Sequence, residues 1–222
     1  LETFPEWQVK RMTEHVQNGG AILQVYAQNP ELLKGIDPKR PAAANKAAGE
    51  ALATYRTYMM NDRIQWSIVS IPTEGWVKKV FPDLPLEKGI ERMWEEIFKI
   101  VRVDGGDPIG EWKKHNETLR KAREVLNKKQ FKKLIYKAPG TDLEIELIDG
   151  HVWHGGSAVA ETGAEFNPNM PTEEVFTMPY KYGVNGTVSS TKPLNYHGNL
   201  IDNFKLTFKD GKVVDFEAEE GY

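Results

Sequence analysis

A change in the spacing of apolar residues near residue 128 is the feature that most restricts how this chain can fold. Before that point, one long segment carries apolar residues at the i, i+3, i+4 spacing of a helix with one buried stripe. These residues are Ile90, Met93, Trp94, Ile97, Phe98 and Val101. After about Lys129, apolar and polar residues alternate instead, as in Leu143–Leu147 and Phe204–Lys209, which is typical of half-exposed strands. The sequence therefore predicts an α/β segment followed by a β-rich, α+β segment.

Within the first segment, short apolar runs alternate with helix-forming stretches. Ala21–Ala27 predicts a buried strand, and Ile64–Ile71, which is apolar on both faces, predicts a parallel strand covered by helices. Ala42–Met60 is rich in alanine and predicts a helix. Asp37-Pro38 and Asp107-Pro108 each place an N-cap acid before proline, which predicts two helix starts. We expect residues 1–128 to be the remainder of an N-terminal α/β domain.

The second segment ends in a hairpin pattern. Asp210-Gly211 separates two alternating runs, and glycine accepts the positive φ that such a turn requires. Val214, Phe216 and Ala218 then predict an inward-facing return strand. We expect residues 129–222 to form the first part of a β-rich domain.

Composition excludes several classes of function. The net charge is −3 and basic residues are interspersed with acidic ones, so no basic face predicts nucleic-acid binding. No apolar run approaches the ~20 residues of a membrane span. The chain has no cysteine, which excludes disulfides, thiol catalysis and cysteine-type zinc sites, and fits a reducing compartment. Leu1 is not an initiator methionine, so removal of a leader stays open.

Two adjacent carboxylates give the most specific chemical signal. Glu173 and Glu174 enter a short apolar run, Val175-Phe176, which predicts a strand between Pro171 and Pro179. An unpaired carboxylate packed beside Val and Phe costs several kcal/mol, so each acid must face solvent or a cation. Adjacent side chains of an extended segment point in opposite directions, so at most one can face a given cleft. A solvated acid pair and one functional carboxylate both remain open, and one Glu alone is no metal site.

Other polar residues carry weaker signals. His151 and His154 have the spacing of a metal pair on a helix, but the neighbouring glycines favour a turn with two polar rings. Gly155-Gly156-Ser157 lacks the spacing of a phosphate loop and favours a tight strand connection. His197 is predicted in a surface loop, and Asp202 as a solvated acid that opens a strand. None of these is assigned a catalytic role.

The segment Asn167–Pro179, which reads NPNMPTEEVFTMP, resembles the signature of the thermophilic-type metallo-aminopeptidases. That family includes aminopeptidase T, aminopeptidase S and PepS, and the resemblance is strongest to PepS. Supporting stretches are FPEW at Phe4–Trp7, LLKGIDP at Leu32–Pro38, AANKA at Ala43–Ala47, PGTDL at Pro139–Leu143 and KDGKVVDF at Lys209–Phe216. The resemblance covers essentially the whole chain.

The resemblance implies a cytoplasmic homodimer of two-domain subunits, in which an N-terminal α/β domain precedes a β-rich catalytic domain that residues 129–222 begin. It also implies that the protein removes N-terminal amino acids from peptides with two divalent metals, zinc or cobalt. The family's metal ligands run Glu, Glu, His, Tyr, His, Asp along the chain. The first of them lies in the PT-x-EVFT motif, which maps it onto Glu174 and leaves Glu173 outside the ligand set. The resemblance places the other five ligands beyond Tyr222, and further βα units before Phe4.

We therefore expect an internal fragment of a metallo-aminopeptidase, truncated at both ends, with one metal ligand and no catalytic activity of its own. The alternative is a non-catalytic module that serves dimerisation or peptide docking.

Overall fold

The computed structural model describes residues 3–27, 29–37, 39–196 and 199–220. The chain divides into two compact units. The first unit comprises Leu1–Asn116 and Gly156–Glu173, and the second comprises Glu117–Gly155 and Glu174–Tyr222. The helices precede an antiparallel sheet along the chain, as the change of spacing predicts. The domain boundary at residue 128 concerns the whole protein and stays a prediction.

Helices dominate the first half of the chain. They are α1 Glu6–Gln17, α2 Lys39–Ala51, α3 Ala53–Met60, α4 Glu74–Val80, α5 Leu86–Ile100 and α6 Pro108–Lys129. The predicted start of α6 is confirmed, and Asp107 caps it by accepting a hydrogen bond from the Gly110 amide, N···Oδ1 2.9 Å. Asp37 likewise accepts a bond from the Lys39 amide, whereas Pro38 lies outside the described residues. Among the described helices, none combines the length and the apolar character that crossing a membrane requires.

The described residues form thirteen strands. They are β1 Ile22–Val25, β2 Trp66–Val69, β3 Lys133–Ala138, β4 Thr141–Leu147, β5 His154–Gly155, β6 Ala158–Val159, β7 Glu165–Phe166, β8 Val175–Phe176, β9 Pro179–Ser189, β10 Leu194–Tyr196, β11 Asn199–Ile201, β12 Lys205–Lys209 and β13 Lys212–Glu217.

In the first unit, β1 and β2 form a parallel pair in register from Ile22 opposite Trp66 to Val25 opposite Val69. The parallel prediction is confirmed, but the prediction that the first strand is buried is wrong, because Leu23 is 68% exposed. The reason is that the described residues pair β1 on one edge only and cover its faces incompletely. The core lies instead among the helices and includes Val16, Leu52, Val77, Met93 and Trp112.

The single helix predicted over Ala42–Met60 is divided. Leu52 has φ −96° and ψ 19°, outside helical geometry, and separates α2 from α3. Its side chain is buried, so packing of Leu52 accompanies the break. Alanine content reports helix propensity and carries no information about such a tertiary contact.

In the second unit, an antiparallel sheet has the order β13-β12-β9-β4-β3. The hairpin at Asp210-Gly211 is confirmed, with Lys209 opposite Lys212. Leu143 and Leu147 are buried, as the alternation of β4 predicts. The prediction that the return strand faces inward is wrong, because every residue of β13 is exposed. This strand is the edge of the sheet, and a period-2 pattern cannot show whether a layer covers it.

Candidate metal-ligand site

Glu174 lies immediately before strand β8, at the start of the segment Glu174–Tyr222 of the second unit. β8 pairs antiparallel with β5, placing Phe176 opposite His154 and Val175 opposite Gly155. The strand predicted at Val175-Phe176 is therefore confirmed. The Glu174 side chain is exposed, and its carboxylate makes no hydrogen bond or ion pair within the part of the chain that the structure describes.

Gly155 allows β8 to approach closely. It has φ +139°, a conformation that side chains disfavour. A Cβ added there would lie 2.9 Å from Val175 Cα and even closer to the Glu174 carbonyl oxygen. The strand connection predicted at Gly155-Gly156-Ser157 is confirmed between β5 and β6. Its first residue, Gly155, lies against the backbone of Glu174 and Val175.

Glu173, in the first unit, is engaged by a cation. Arg102 binds it with two hydrogen bonds, Nη1 to Oε1 at 2.6 Å and Nη2 to Oε2 at 2.9 Å. These bonds, with the charge of Arg102 and a smaller effect of His115, hold the pKa of Glu173 below its usual value, against an opposing effect of burial. Glu173 is therefore ionised and its carboxylate is occupied.

Arg102 holds this position at a conformational cost. It follows α5 with φ +57°, while the amide of Val103 donates to the carbonyl of Phe98 at 2.9 Å, a helix-end geometry that favours glycine. A side chain in the left-handed region costs about 1–2 kcal/mol. An arginine here is explained by its guanidinium, which binds Glu173 and lies 5.9 Å from the Trp112 ring centroid.

His115 fixes the residue before Glu173. Its Nε2 lies 2.6 Å from the carbonyl oxygen of Thr172, and because a carbonyl only accepts, Nε2 carries the proton. The same atom lies 3.6 Å from Glu173 Oε2. Sequence reasoning missed both Arg102 and His115, because they lie far from the motif along the chain and no local spacing marks them.

The other polar residues that the sequence analysis considered do not form a set of metal ligands with Glu174. His151 is buried, with Nδ1 2.9 Å from the carbonyl oxygen of Ile148. His154 is exposed and stacks on Phe176, with ring centroids 6.0 Å apart. Ser157, in the first unit, donates to Glu165. Asp202 forms an isolated bridge with Glu220 before β12 begins, and His197 lies outside the described residues.

Among the described residues, no three histidine, aspartate or glutamate side chains lie close enough together to hold a metal ion. Zinc binds three or four protein donors. Glu174 fits the part of one carboxylate donor, being exposed and without a competing cation. The described residues do not form a complete metal site, so no reaction step through a metal follows from them.

Comparison with known proteins matches this chain to a metalloprotease family and to proteins named aminopeptidases. The family described as thermophilic metalloprotease (M29) matches residues 1–222. "Aminopeptidase 2" of Geobacillus stearothermophilus is 56% identical over 219 residues, covering 99% of this chain and 53% of that protein. "Aminopeptidase AmpS" of Bacillus subtilis (strain 168) is 50% identical over 221 residues, covering 100% of this chain and 54% of that protein. "Aminopeptidase PepS" of Streptococcus thermophilus is 39% identical over 222 residues, covering 100% and 54%, so the first two resemble this chain more.

A solved structure, "Wild-type AmpT from Thermus thermophilus", superposes with a TM-score of 0.90 at 35% identity, covering 99% of this chain and 54% of that one. The fold and the sequence thus assign the chain to the class of the metalloproteases. The chain belongs to the thermophilic metalloprotease (M29) family. It spans about half the length of the curated relatives that it matches.

Proposed function

We propose that the complete protein is a metal-dependent aminopeptidase, which releases N-terminal amino acids from peptides with two divalent metal ions, zinc or cobalt. Membership of a metalloprotease family and the names of the similar proteins support this activity. A divalent metal would supply activation of a water molecule and polarisation of the scissile carbonyl. In keeping with the family resemblance, we also propose a cytoplasmic homodimer, with residues 129–222 beginning its catalytic domain.

The observation that carries the site assignment is the difference between the two neighbouring acids. Arg102 occupies both oxygens of Glu173. Glu174 is exposed and has no partner for its carboxylate in the described ranges. We therefore propose Glu174 as a metal ligand, and Glu173 as an anchor that fixes its own segment to Arg102.

The test compares Glu174→Gln with Glu173→Gln in the complete protein. Glutamine is a poor ligand for a divalent metal, so Glu174→Gln is expected to lower the amount of bound zinc or cobalt. Leucine release from a leucyl peptide is expected to fall by about 100-fold or more, because loss of a ligand costs more than loss of a group that only orients a ligand. Metal content is measured by mass spectrometry after dialysis. Normal metal content and rate in Glu174→Gln would refute the assignment.

Glu173→Gln is the matched control, because it makes the same chemical change one residue away. Its amide oxygen can still accept from Arg102, and no ligand is lost, so metal content is expected to stay near that of the unmodified protein. Loss of metal in Glu173→Gln together with retention in Glu174→Gln would reverse the assignment.

We also propose that the 222-residue chain does not hydrolyse peptides alone, since one carboxylate cannot hold two metals. Leucine release is assayed side by side for this chain and the complete protein, with added zinc or cobalt. Leucine release by the isolated 222-residue chain would contradict the proposal. No activity in either would favour the non-catalytic dimerisation or docking module.

A further inference from the structure

The segment 151–155 of the second unit receives hydrogen bonds from side chains on one face of α6 and just beyond its end. Gln130 Nε2 donates to the carbonyl of His151 at 3.0 Å, and Asn127 Nδ2 donates to that of Trp153 at 3.1 Å. Arg123 Nη1 donates to the carbonyl of Gly155 at 3.3 Å. We call Arg123, Asn127 and Gln130 the α6 polar row. Their acceptors are alternate residues, as expected for one edge of an extended segment.

Asn127 is the centre of the row, because it bonds the same residue twice. Besides donating to the Trp153 carbonyl, its Oδ1 accepts from the Trp153 amide at 2.7 Å. A carboxamide offers one acceptor and donors in the arrangement of a backbone amide. Asn127 thus takes the place of a neighbouring strand along this edge.

The opposite edge of the same segment is held by the strand that Glu174 precedes. Thr177 Oγ1 donates to the carbonyl of Val152 at 2.8 Å. β5 pairs with β8, and Gly155 lies against the backbone of Glu174 and Val175 without room for a Cβ. Movement of 153–155 therefore displaces the backbone that carries the Glu174 carboxylate.

We propose that the α6 polar row, and Asn127 above all, positions Glu174 for metal binding. This inference rests on the proposed ligand role of Glu174. β5 has two residues, so its own ladder gives little support. Trp153 is buried, and loss of Asn127 leaves its amide and carbonyl without these partners, which forces the segment to shift. Groups that orient a metal ligand typically change metal affinity by about 10- to 100-fold.

The experiment measures the zinc dissociation constant of the complete protein by competition with a chromophoric chelator. Asn127→Ala is expected to raise that constant by about 10-fold or more, and Arg123→Ala, which removes a longer single bond, by a smaller factor. KM for a leucyl peptide at saturating zinc is expected to change little. Arg123→Ala leaves the Asn127 bonds in place, so it decides the question if Asn127→Ala does not fold.

Leu119→Ala is the control for general loss of stability. Leu119 is a buried residue of α6 in the second unit, outside the polar row. Its truncation is expected to lower the melting temperature with no change in the zinc dissociation constant, whereas the polar-row variants change both.

Glu174→Gln, measured in parallel, separates the two ideas. Weaker zinc binding in Glu174→Gln and in the polar-row variants supports the inference. Weaker binding in Glu174→Gln, with dissociation constants within about twofold of normal in the row variants, overturns the positioning role and leaves the ligand role standing. Unchanged binding in Glu174→Gln overturns both.

Discussion

Gly155 offers the sharpest test of the geometry around Glu174. Gly155→Ala places a methyl group against two backbone atoms, Glu174 O and Val175 Cα, and neither can move as a flexible side chain would. The residue also has φ +139°, which an L-residue adopts at a cost of about 1–3 kcal/mol. Substitution therefore strains Gly155 itself and pushes β8 away.

The magnitude follows from those two effects. Moving the backbone out of contact disrupts the short β5–β8 pairing, and each lost hydrogen bond costs about 1 kcal/mol. If two bonds are lost, the combined decrease in the free energy of unfolding is about 3–5 kcal/mol.

Gly150→Ala is the matched control in the same unit. Gly150 has φ +73°, but a Cβ there meets nothing within 4 Å. It tests positive φ without the clash, at a cost of about 1–2 kcal/mol. Both variants gain the same small benefit from a less flexible unfolded chain, so that term cancels in the comparison.

The assay is urea unfolding of the complete protein followed by far-ultraviolet circular dichroism, with amide exchange of residues 174–177 as a local readout. Gly155→Ala is expected to be less stable than Gly150→Ala by about 2 kcal/mol, with faster exchange at β8. Equal stability of the two variants would refute the close approach of Gly155 to Glu174.

Two further predictions concern charged residues. In urea unfolding, Arg102→Gly is expected to lower the free energy of unfolding by about 1 kcal/mol less than Arg102→Ala. Both variants lose the ion pair with Glu173, but only glycine relieves the φ of +57°. The opposite order of stability would contradict the left-handed conformation at this helix end. Arg120 donates hydrogen bonds that lower the pKa of Glu117 to about 2, so Arg120→Ala is expected to raise it toward the ordinary value of about 4.3, measured by NMR titration. Because the pKa of Glu117 is lower in the folded protein, the stabilisation by this pair is present above the unfolded pKa and is lost as pH falls toward 2. The effect on stability is small, since the pair is exposed. An unchanged Glu117 pKa in Arg120→Ala would contradict the pairing.

The sequence and the structure agree where a signal is local. The cap at Asp107, the alternation of β4, the turn at Asp210-Gly211 and the strand at Val175-Phe176 depend on neighbours within a few residues. Dihedral preference and side-chain period act at that range, so the sequence by itself determines them.

Burial was predicted less well. β1 and β13 have the apolar content of covered strands, yet Leu23 and Phe216 are exposed. Hydrophobic pattern shows which face prefers a neighbour, but the neighbour is supplied by another part of the fold. The break at Leu52 has the same origin, since tertiary packing overrides helix propensity.

For the candidate site, the sequence by itself distinguished Glu173 and Glu174 from the other acids, and the family resemblance favoured Glu174. Only the tertiary structure decided which carboxylate is already paired, because Arg102 lies 71 residues before Glu173 in the chain. It also decided that Asn127 bonds Trp153 and that Gly155 lies against the backbone of Glu174. Hydrogen bonds and close contacts act through space, whereas a sequence pattern reports only what neighbouring residues prefer.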